Sequence, residues 1–232
     1  MDNTINSKSV NEQLSFIMHE IHTSLNSITK TLHFLSRKDL SRRDEQEIVK
    51  AGILEACQYA DTMRMFLDYW QLSANPADYF AGAKMRLEDL YRDFNNPNEY
   101  FKSVMKKKHL DYRLQKIDDR IPYVEAYPIV HAISNIMLDN AIKYAPADTQ
   151  INCFFEVDGN DLVIRMENDG PYLTPNETGR IFEKGTRGVN AQKANVRGHG
   201  FGMVFLKQIV EAHDGTVEVQ SENNYPYNGI PH

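Results

Sequence analysis

Two asparagines, an aspartate and a lysine stand close together in a mostly apolar segment between positions 128 and 144: Asn135, Asp139, Asn140 and Lys143. Asparagine is a poor helix former and costs free energy when buried without a partner. Mg²⁺ prefers a few protein oxygens together with water and phosphate. The set is therefore suited to a hydrated cation and phosphate oxygens, although helix-surface polarity with one hydrogen-bonded core asparagine would give the same pattern.

A glycine-rich segment is the second candidate for phosphate chemistry. The run Gly198-His199-Gly200-Phe201-Gly202 directly precedes a helical pattern. Glycines let a backbone approach phosphate closely, and a helix N-terminus offers free N–H groups to anions. Basic residues for a terminal phosphate precede it in the loop: Lys184, Arg187, Lys193 and Arg197. Taken alone, such glycines are also typical of a flexible turn. A run of basic residues is also typical of a solvated surface.

A third candidate lies near the N-terminus, where His19 and Glu20 are adjacent and Thr23 follows one turn later. Residues four apart lie on the same side of a helix, so His19 and Thr23 share a face. An imidazole beside a carboxylate on an exposed face is available for chemistry. By itself, an isolated histidine–glutamate pair is more often ordinary solvated surface, and the same holds for His22.

The elements that must position these groups begin with two long helices. Apolar residues alternate at spacings of three and four, first at Leu14, Met18, Ile21, Leu25, Ile28, Leu32 and Leu35, then at Val49, Ile53, Ala56, Ala60, Met63, Leu67 and Trp70. This repeat is typical of helix bundles, and the polar connector 37–44 predicts an antiparallel hairpin. Each helix carries more apolar surface than one partner covers, so we expect two hairpins to pair as a four-helix-bundle dimer.

The remainder of the chain mixes helical and strand patterns. We expect a helical hairpin over 1–76, a linker over 77–84 and an α/β sandwich over 85–232, which together make an α+β fold. Predicted helices cover 87–108, with a possible break at Asn96-Pro97-Asn98, and 128–144 and 203–213. Predicted strands cover 109–114, 123–125, 151–157, 162–167 and 216–220.

Composition excludes several classes of protein. The chain has 232 residues, 41% hydrophobic and 25% charged, with 26 Lys and Arg against 32 Asp and Glu, giving a net charge of −6. This balance argues against a nucleic-acid protein that works by bulk positive charge. We expect no membrane segment in this chain, since no apolar run approaches the ~20 residues that one needs. The two cysteines form no metal-ligand or disulfide pattern, and we expect a cytoplasmic protein.

Taken together and in order, these segments resemble the catalytic core of sensor histidine kinases. Residues 16–25 resemble the phospho-acceptor box, H-E-x-[KR]-T-P-L, and residues 135–144 closely match the asparagine box, N-L-L-D-N-A-I-K-Y. Asn168-Asp169-Gly170 stands at the D-x-G box, residues 181–187 at the phenylalanine box, and residues 198–202 with 211–215 at the last glycine box. The resemblance runs from about residue 14 to 221.

The resemblance implies a dimeric phosphotransfer hairpin joined to an ATP-binding domain of the type shared with DNA gyrase and Hsp90. His19 would attack the γ-phosphate of ATP, with Glu20 as its general base. The phosphoryl group would then pass to an aspartate on the receiver domain of a response regulator. Glu20 and Thr23 also fit the family's E-x-x-T phosphatase pattern, in which Thr23 would place a water to dephosphorylate that regulator.

The resemblance also assigns the nucleotide contacts. Asn140 would bind Mg²⁺, with Asn135 beside it, while Lys143 would contact phosphate and Tyr144 would flank the nucleotide. The remaining contacts would come from Asn168, Gly170, Lys184, Arg187, Gly198, Gly200, Phe201 and Gly202.

Four residues depart from the family pattern. Ser24 replaces a proline that would bend the helix, His22 replaces a basic residue, Asn168 replaces an aspartate that reads adenine, and Tyr172 replaces a glycine. These departures leave two alternatives open. One is a dimeric docking, phosphatase or phosphotransfer module without autokinase activity. The other is a gyrase- or Hsp90-type ATPase without phosphohistidine.

Overall fold

The computed structural model describes residues 3–39, 41–74, 83–115, 123–159, 161–183, 185–193, 202–223, 226–227 and 230–231. The chain divides into two compact units, Met1–Ala81 and Gly82–His232. The predicted linker 77–84 lies largely outside the described residues, and the second unit already begins with a strand at Ala83. No helix in the described part of the chain is long and apolar enough to cross a membrane.

The first unit is a hairpin of two long helices, α1 (Asn3–Leu35) and α2 (Arg43–Ala74). Leu35 and Ala56 are each 9% exposed and lie between the helices. The absence of a side chain at Gly52 leaves room for Leu35, because a Cβ at Gly52 would lie 2.8 Å from Leu35 Cδ2. The predicted hairpin is therefore present.

As expected from the sequence, each helix of the hairpin carries apolar surface that the other helix does not cover. Along α1, Met18, Leu25 and Leu32 remain 48%, 48% and 53% exposed, and along α2, Ile53 and Leu67 remain 49% and 43% exposed. A seam with alternating spacing of three and four consists of two neighbouring rows of side chains, and in this hairpin Leu35 and Ala56 are buried whereas Leu25 and Ile53 of the other rows are exposed. One stripe faces the partner helix and the other is left exposed.

Helix α1 continues through Ser24 without interruption, and the Ser24 side chain is buried at 6% exposure. A proline at this position would remove a backbone donor and clash with the preceding turn. Serine keeps the helical hydrogen bond and places a small side chain against the hairpin interior.

The second unit contains helices and strands in alternation. Its elements are β1 (Ala83–Arg86), α3 (Leu87–Asn95), α4 (Glu99–Lys108), β2 (Asp111–Leu114), β3 (Tyr123–Ala126), a 3-10 turn (Pro128–His131), α5 (Ala132–Tyr144), β4 (Gln150–Asp158), β5 (Asp161–Asn168), α6 (Pro175–Arg180), α7 (Val189–Lys193), α8 (Gly202–Glu211), β6 (Pro226–Tyr227) and β7 (Ile230–Pro231). This mixture confirms the predicted α+β class.

The sheet that supports the site has the strand order β2-β4-β5, with β2 parallel and β5 antiparallel to β4. One face of β4 is buried through Ile151, Cys153 and Phe155, as expected for period-two alternation. Helices α4 and α5 cover this face and contribute core residues such as Phe101 and Leu138. The sheet and these helices together hold α5 in place.

The structure changes several predicted boundaries. The break predicted as possible at Asn96-Pro97-Asn98 is present, so that the segment 87–108 forms two helices, and Asn98 caps the second by accepting a 2.9 Å hydrogen bond from the Phe101 N–H. The predicted helix 128–144 begins as a 3-10 turn, and the last helix ends at Glu211 rather than 213. The predicted strand 216–220 is wrong: its residues alternate between exposed and half-buried but form no ladder in the described part of the chain. Alternation alone does not supply a neighbouring strand to pair with.

An ion pair links α3 to the start of α5 and gives the second unit a pH dependence. His131 Nδ1 lies 2.5 Å from Asp93 Oδ2, and this hydrogen bond raises the pKa of His131 above its ordinary 6.5. Because the pKa of His131 is higher in the folded protein, the ion pair stabilises the fold fully below pH 6.5, and this stabilisation is lost as the pH rises through the folded-state pKa.

We expect the free energy of unfolding to fall as the pH rises from 6.5 through the folded-state pKa of His131. Asp93→Asn should make the free energy of unfolding depend less on pH. Denaturant titrations between about pH 5 and 8.5 check this, with Asp111→Asn as a distant control; a parallel fall in both variants would contradict it.

Candidate functional site

Helix α5 positions the candidate site, because its apolar residues are buried and hold its polar residues at fixed angles. Ile133, Leu138 and Ile142 are buried, whereas Asn140 and Tyr144 are only half-buried. Asn140 and Tyr144 are four residues apart, so they lie on one line along the helix.

The first end of this line is packed against the N-terminus of α8. A Cβ at Gly202 would lie 3.5 Å from Ile136 Cγ2 and 3.6 Å from Asn140 Nδ2. Asn140 Nδ2 also donates to Met203 Sδ at 3.3 Å. The free N–H groups of the first turn of α8 therefore lie next to the Asn140 amide, as a phosphate site would require.

The other end of the line is packed against the turn after β5. A Cβ at Gly170 would lie 3.2 Å from Asn168 Nδ2 and 3.6 Å from Tyr144 Cβ. Asn168 pairs in register with buried Ile151, and its amide donates to the Asp169 carbonyl at 2.7 Å. The structure thus brings three sequence-predicted residues together, namely Tyr144, Asn168 and Gly170.

The charged pair on α5 lies on the next line of the helix. Lys143 Nζ is 3.7 Å from Asp139 Oδ2 and 5.4 Å from the centroid of the Tyr144 ring. Partial burial raises the pKa of Asp139, and the neighbouring Lys143 ammonium opposes that rise. Asn135 is exposed and is about 140° from Asn140 around the helix axis, so the structure does not bring these two predicted metal ligands together.

The segment between β5 and α8 is only partly described. Phe182 and Arg187 are half-buried, and Lys207 Nζ lies 5.8 Å from the Phe182 ring centroid. Glu177 accepts a 2.7 Å hydrogen bond from the Val189 N–H, which ties α6 to the start of α7. The other candidates in this segment lie outside the described residues: Lys184, Gly198, Gly200 and Phe201.

The phospho-acceptor candidates lie on α1 in the first unit. His19 is exposed, and the Thr23 hydroxyl donates to the His19 carbonyl oxygen at 2.9 Å. Glu20 is part of α1, but its side chain lies outside the described residues. His19 is therefore accessible, with Thr23 directly one turn after it.

Sequence reasoning missed two side chains that hold α5 and α8. Lys108 donates to three carbonyl oxygens at the end of α5. His213 accepts from the Tyr127 N–H at 2.9 Å through Nε2, and its Nδ1 lies 2.6 Å from the Ile209 carbonyl. The sequence showed His213 only as a motif residue and Lys108 only as one of three consecutive lysines, so neither long-range bond had a local signal.

The donor set fits a cation held mainly by phosphate and water. In the described part of the chain, no group of three or more His, Cys, Asp and Glu residues is placed to bind a metal. Mg²⁺ commonly binds through one or two protein oxygens and the phosphates of a nucleotide. Asn140 beside the N-terminus of α8 is compatible with that mode.

Comparisons with known proteins identify relatives over most of the chain. Residues 125–227 match the family of histidine kinase-, DNA gyrase B- and HSP90-like ATPases. The chain is 23% identical to the probable sensor kinase SilS of Salmonella typhimurium over 89% of this chain and 41% of that protein. It is 24% identical to the sensor histidine kinase YvrG of Bacillus subtilis (strain 168), over 92% and 36%. It therefore spans roughly two-fifths of the length of these relatives.

A solved structure has a similar fold over nearly the whole chain. The histidine kinase ThkA in complex with the response regulator protein TrrA matches with a TM-score of 0.56 at 14% identity, covering 96% of this chain and 61% of that one. At this identity the match supports the fold.

Proposed function

We propose that this chain is the catalytic core of a sensor histidine kinase, and that it binds ATP with Mg²⁺ and transfers the γ-phosphoryl group to His19. One observation carries this proposal. Helix α5 lies against Gly202 through Asn140 and against Gly170 through Tyr144. Residues of three separate motifs therefore meet along one side of this helix.

The proposed nucleotide contacts follow from this arrangement. The adenine end would lie near Tyr144, Asn168 and Gly170, and the phosphates would lie near Asn140 and the N-terminus of α8. The Asn168 amide oxygen accepts the adenine amino hydrogen bond without the charge that an aspartate would add. Lys143, Lys184 and Arg187 would neutralise phosphate charge together with the glycine segment. Mg²⁺, when bound, supplies further neutralisation of the phosphates beside Asn140.

The proposed reaction is an in-line displacement on phosphorus. A nitrogen of the His19 imidazole forms a bond to the γ-phosphorus while the bond to the bridging oxygen breaks and ADP leaves. The imidazole proton passes to Glu20, whose carboxylate acts as general base. Positioning and charge neutralisation dominate such transfers.

We propose a response-regulator receiver domain as the second substrate. An aspartate of that domain would take the phosphoryl group from His19. The same face would also serve to dephosphorylate the regulator, because Thr23 is one turn from His19 and its hydroxyl donates to the His19 carbonyl oxygen. From there, Thr23 would orient a water to attack the phosphorus of the regulator's phosphoaspartate, so that the bond from phosphorus to the aspartate oxygen breaks and inorganic phosphate leaves.

A homodimer is supported by the apolar surface that the hairpin leaves exposed. Met18, Leu25 and Leu32 are seven residues apart on α1, and Ile53, Ala60 and Leu67 are seven apart on α2. Residues seven apart lie nearly on one line, so each helix presents an apolar stripe beside its contact with the other helix. Packing this surface against a second hairpin would complete a four-helix bundle.

We expect Leu25→Glu to convert the dimer to a monomer, because it places a charge in the middle of the exposed stripe of α1. Light scattering at micromolar concentration measures the mass. Phe34→Glu is the matched control, since Phe34 is 53% exposed and lies about 180° from Leu25 around α1. A monomeric wild type, or equal dissociation in both variants, would contradict the assigned interface.

The proposed function is tested by incubating the protein with ATP labelled at the γ-phosphate and with Mg²⁺. Label on the protein that is labile in acid and stable in base identifies a phosphohistidine. Bound nucleotide without label would support the docking or phosphatase alternative instead. Free phosphate without protein label would support an ATPase.

A further inference from the structure

The C-terminal end of α5 is buried and has a missing hydrogen-bond donor. In a regular helix the carbonyl of Ile142 would accept from the N–H of residue 146, but residue 146 is a proline, which has none. The preceding carbonyl, that of Ala141, is satisfied by the Ala145 N–H at 2.9 Å. Ala145 is 2% exposed, so water does not readily replace the missing donor.

The ammonium group of Lys108 supplies the missing donors. Lys108 Nζ lies 2.7 Å from the Ile142 carbonyl oxygen, 3.2 Å from that of Lys143 and 2.6 Å from that of Ala145. An ammonium group has three N–H donors, so this arrangement uses all of them. A positive charge at a helix C-terminus also interacts favourably with the helix dipole.

The surroundings of Lys108 differ from those of an ordinary surface lysine. Partial burial lowers the pKa of Lys108, whereas the neighbouring Lys106 and Lys107 are exposed. The Lys108 carbonyl in turn accepts the Asp148 N–H at 2.9 Å, which fastens the turn after α5 to the same residue. Lys108 therefore connects the end of α4, the last turn of α5 and the turn that follows.

That last turn carries the side chains of Lys143 and Tyr144. Tyr144 packs against Gly170, where a Cβ would lie 3.7 Å from the Tyr144 carbonyl oxygen. A small rotation of this turn would move both side chains relative to Asn168. We infer that Lys108 is a positioning residue for nucleotide binding, which acts by fixing the last turn of α5 so that Lys143 and Tyr144 meet the nucleotide. This inference rests on the proposed function for its ligand.

The test compares Lys108→Met with Lys107→Met, which removes the same charge from an exposed neighbour. We expect Lys108→Met to raise the Kd for Mg·ATP about tenfold or more, since small displacements of positioning groups have effects of this size. At saturating ATP the rate of His19 labelling should stay within about twofold of wild type, because the reacting groups are unchanged. Lys107→Met should match wild type in both, and Lys108→Arg should recover part of the affinity.

Two further measurements separate positioning from loss of the fold. Hydrogen exchange at the Ala145 amide should be faster in Lys108→Met than in Lys107→Met, with circular dichroism showing equal folded fractions. In a Tyr144→Ala background, Lys108→Met should cost less affinity than in wild type, because its effect passes through the same turn. If Lys108→Met does not fold, Lys108→Gln takes its place in every comparison.

These experiments distinguish failure of the inference about Lys108 from failure of the proposed function. A wild-type protein that binds no Mg·ATP overturns the proposed function, and exchange at Ala145 then decides whether Lys108 fixes the end of α5. Equal affinity in the Lys108 and Lys107 variants overturns the inference, as does equal exchange at Ala145. Reduced labelling at saturating ATP with unchanged Kd also overturns it.

Discussion

His19→Ala is expected to abolish labelling by γ-phosphate-labelled ATP and to leave nucleotide affinity unchanged. The alanine has no nitrogen to attack phosphorus, so the loss should be complete rather than graded. His19 belongs to the unit Met1–Ala81, whereas the candidate nucleotide contacts belong to Gly82–His232. Because the His19 side chain is exposed, its removal should change the thermal unfolding of the protein little.

His22→Ala is the matched control for this experiment. It removes an exposed histidine three residues further along the same helix. Acid-labile label should therefore persist in His22→Ala and vanish in His19→Ala, with equal nucleotide binding in both. Label that persists without His19 would place the acceptor elsewhere, and loss of both label and binding would make His19 a structural residue.

The second large effect is expected for Asn140→Ala, which should remove the Mg²⁺-dependent part of ATP affinity. The Asn140 amide lies beside the first turn of α8, where the phosphates and their cation would bind. Loss of residues that only support a metal ligand typically costs 10–100-fold, so loss of a direct contact should cost at least about a hundredfold. That factor corresponds to on the order of 2.7 kcal/mol.

The measurement is ATP affinity with Mg²⁺ and with a chelator, for wild type, Asn140→Ala and Asn140→Asp. The aspartate retains an oxygen for the cation and should keep most of the dependence on Mg²⁺. Asn95→Ala is a suitable control, since Asn95 is exposed at the end of α3. Equal loss of affinity with and without Mg²⁺ would contradict the role of Asn140. Dissociation of the dimer would contradict the assignment of dimerisation to the hairpin.

Local periodicity predicted the elements more accurately than it predicted their contacts. The apolar repeat over 14–35 and 49–70 predicted the hairpin, because the period of a helix is a property of a single chain segment. It did not reveal that Leu35 is buried while Leu25 is 48% exposed, since that depends on which side the other helix occupies. The strand predicted at 216–220 failed for a related reason, because a strand needs a neighbour that its own sequence does not specify.

For the candidate site, too, the sequence predicted the residues and the structure showed which of them are in contact. The order of the motifs predicted the candidate nucleotide contacts, and the structure placed Asn140 beside Gly202 and Tyr144 beside Gly170. The roles of these residues remain predictions, as do those of Asn135 and of the residues in the glycine segment. The structure separated Asn135 from Asn140, a distinction that follows from helical geometry once the boundaries of α5 are known.

The sequence by itself determined the hairpin, the α+β class, the family resemblance and the helix that carries Asn140. It also contained the reason for an unsatisfied carbonyl, since Pro146 follows Ile142 by four residues. Only the tertiary structure decided that Lys108, which is 34 residues from Ile142, supplies the donor. Helical patterning depends on neighbours a few residues away, whereas the satisfaction of a buried polar group depends on whichever segment the fold packs against it.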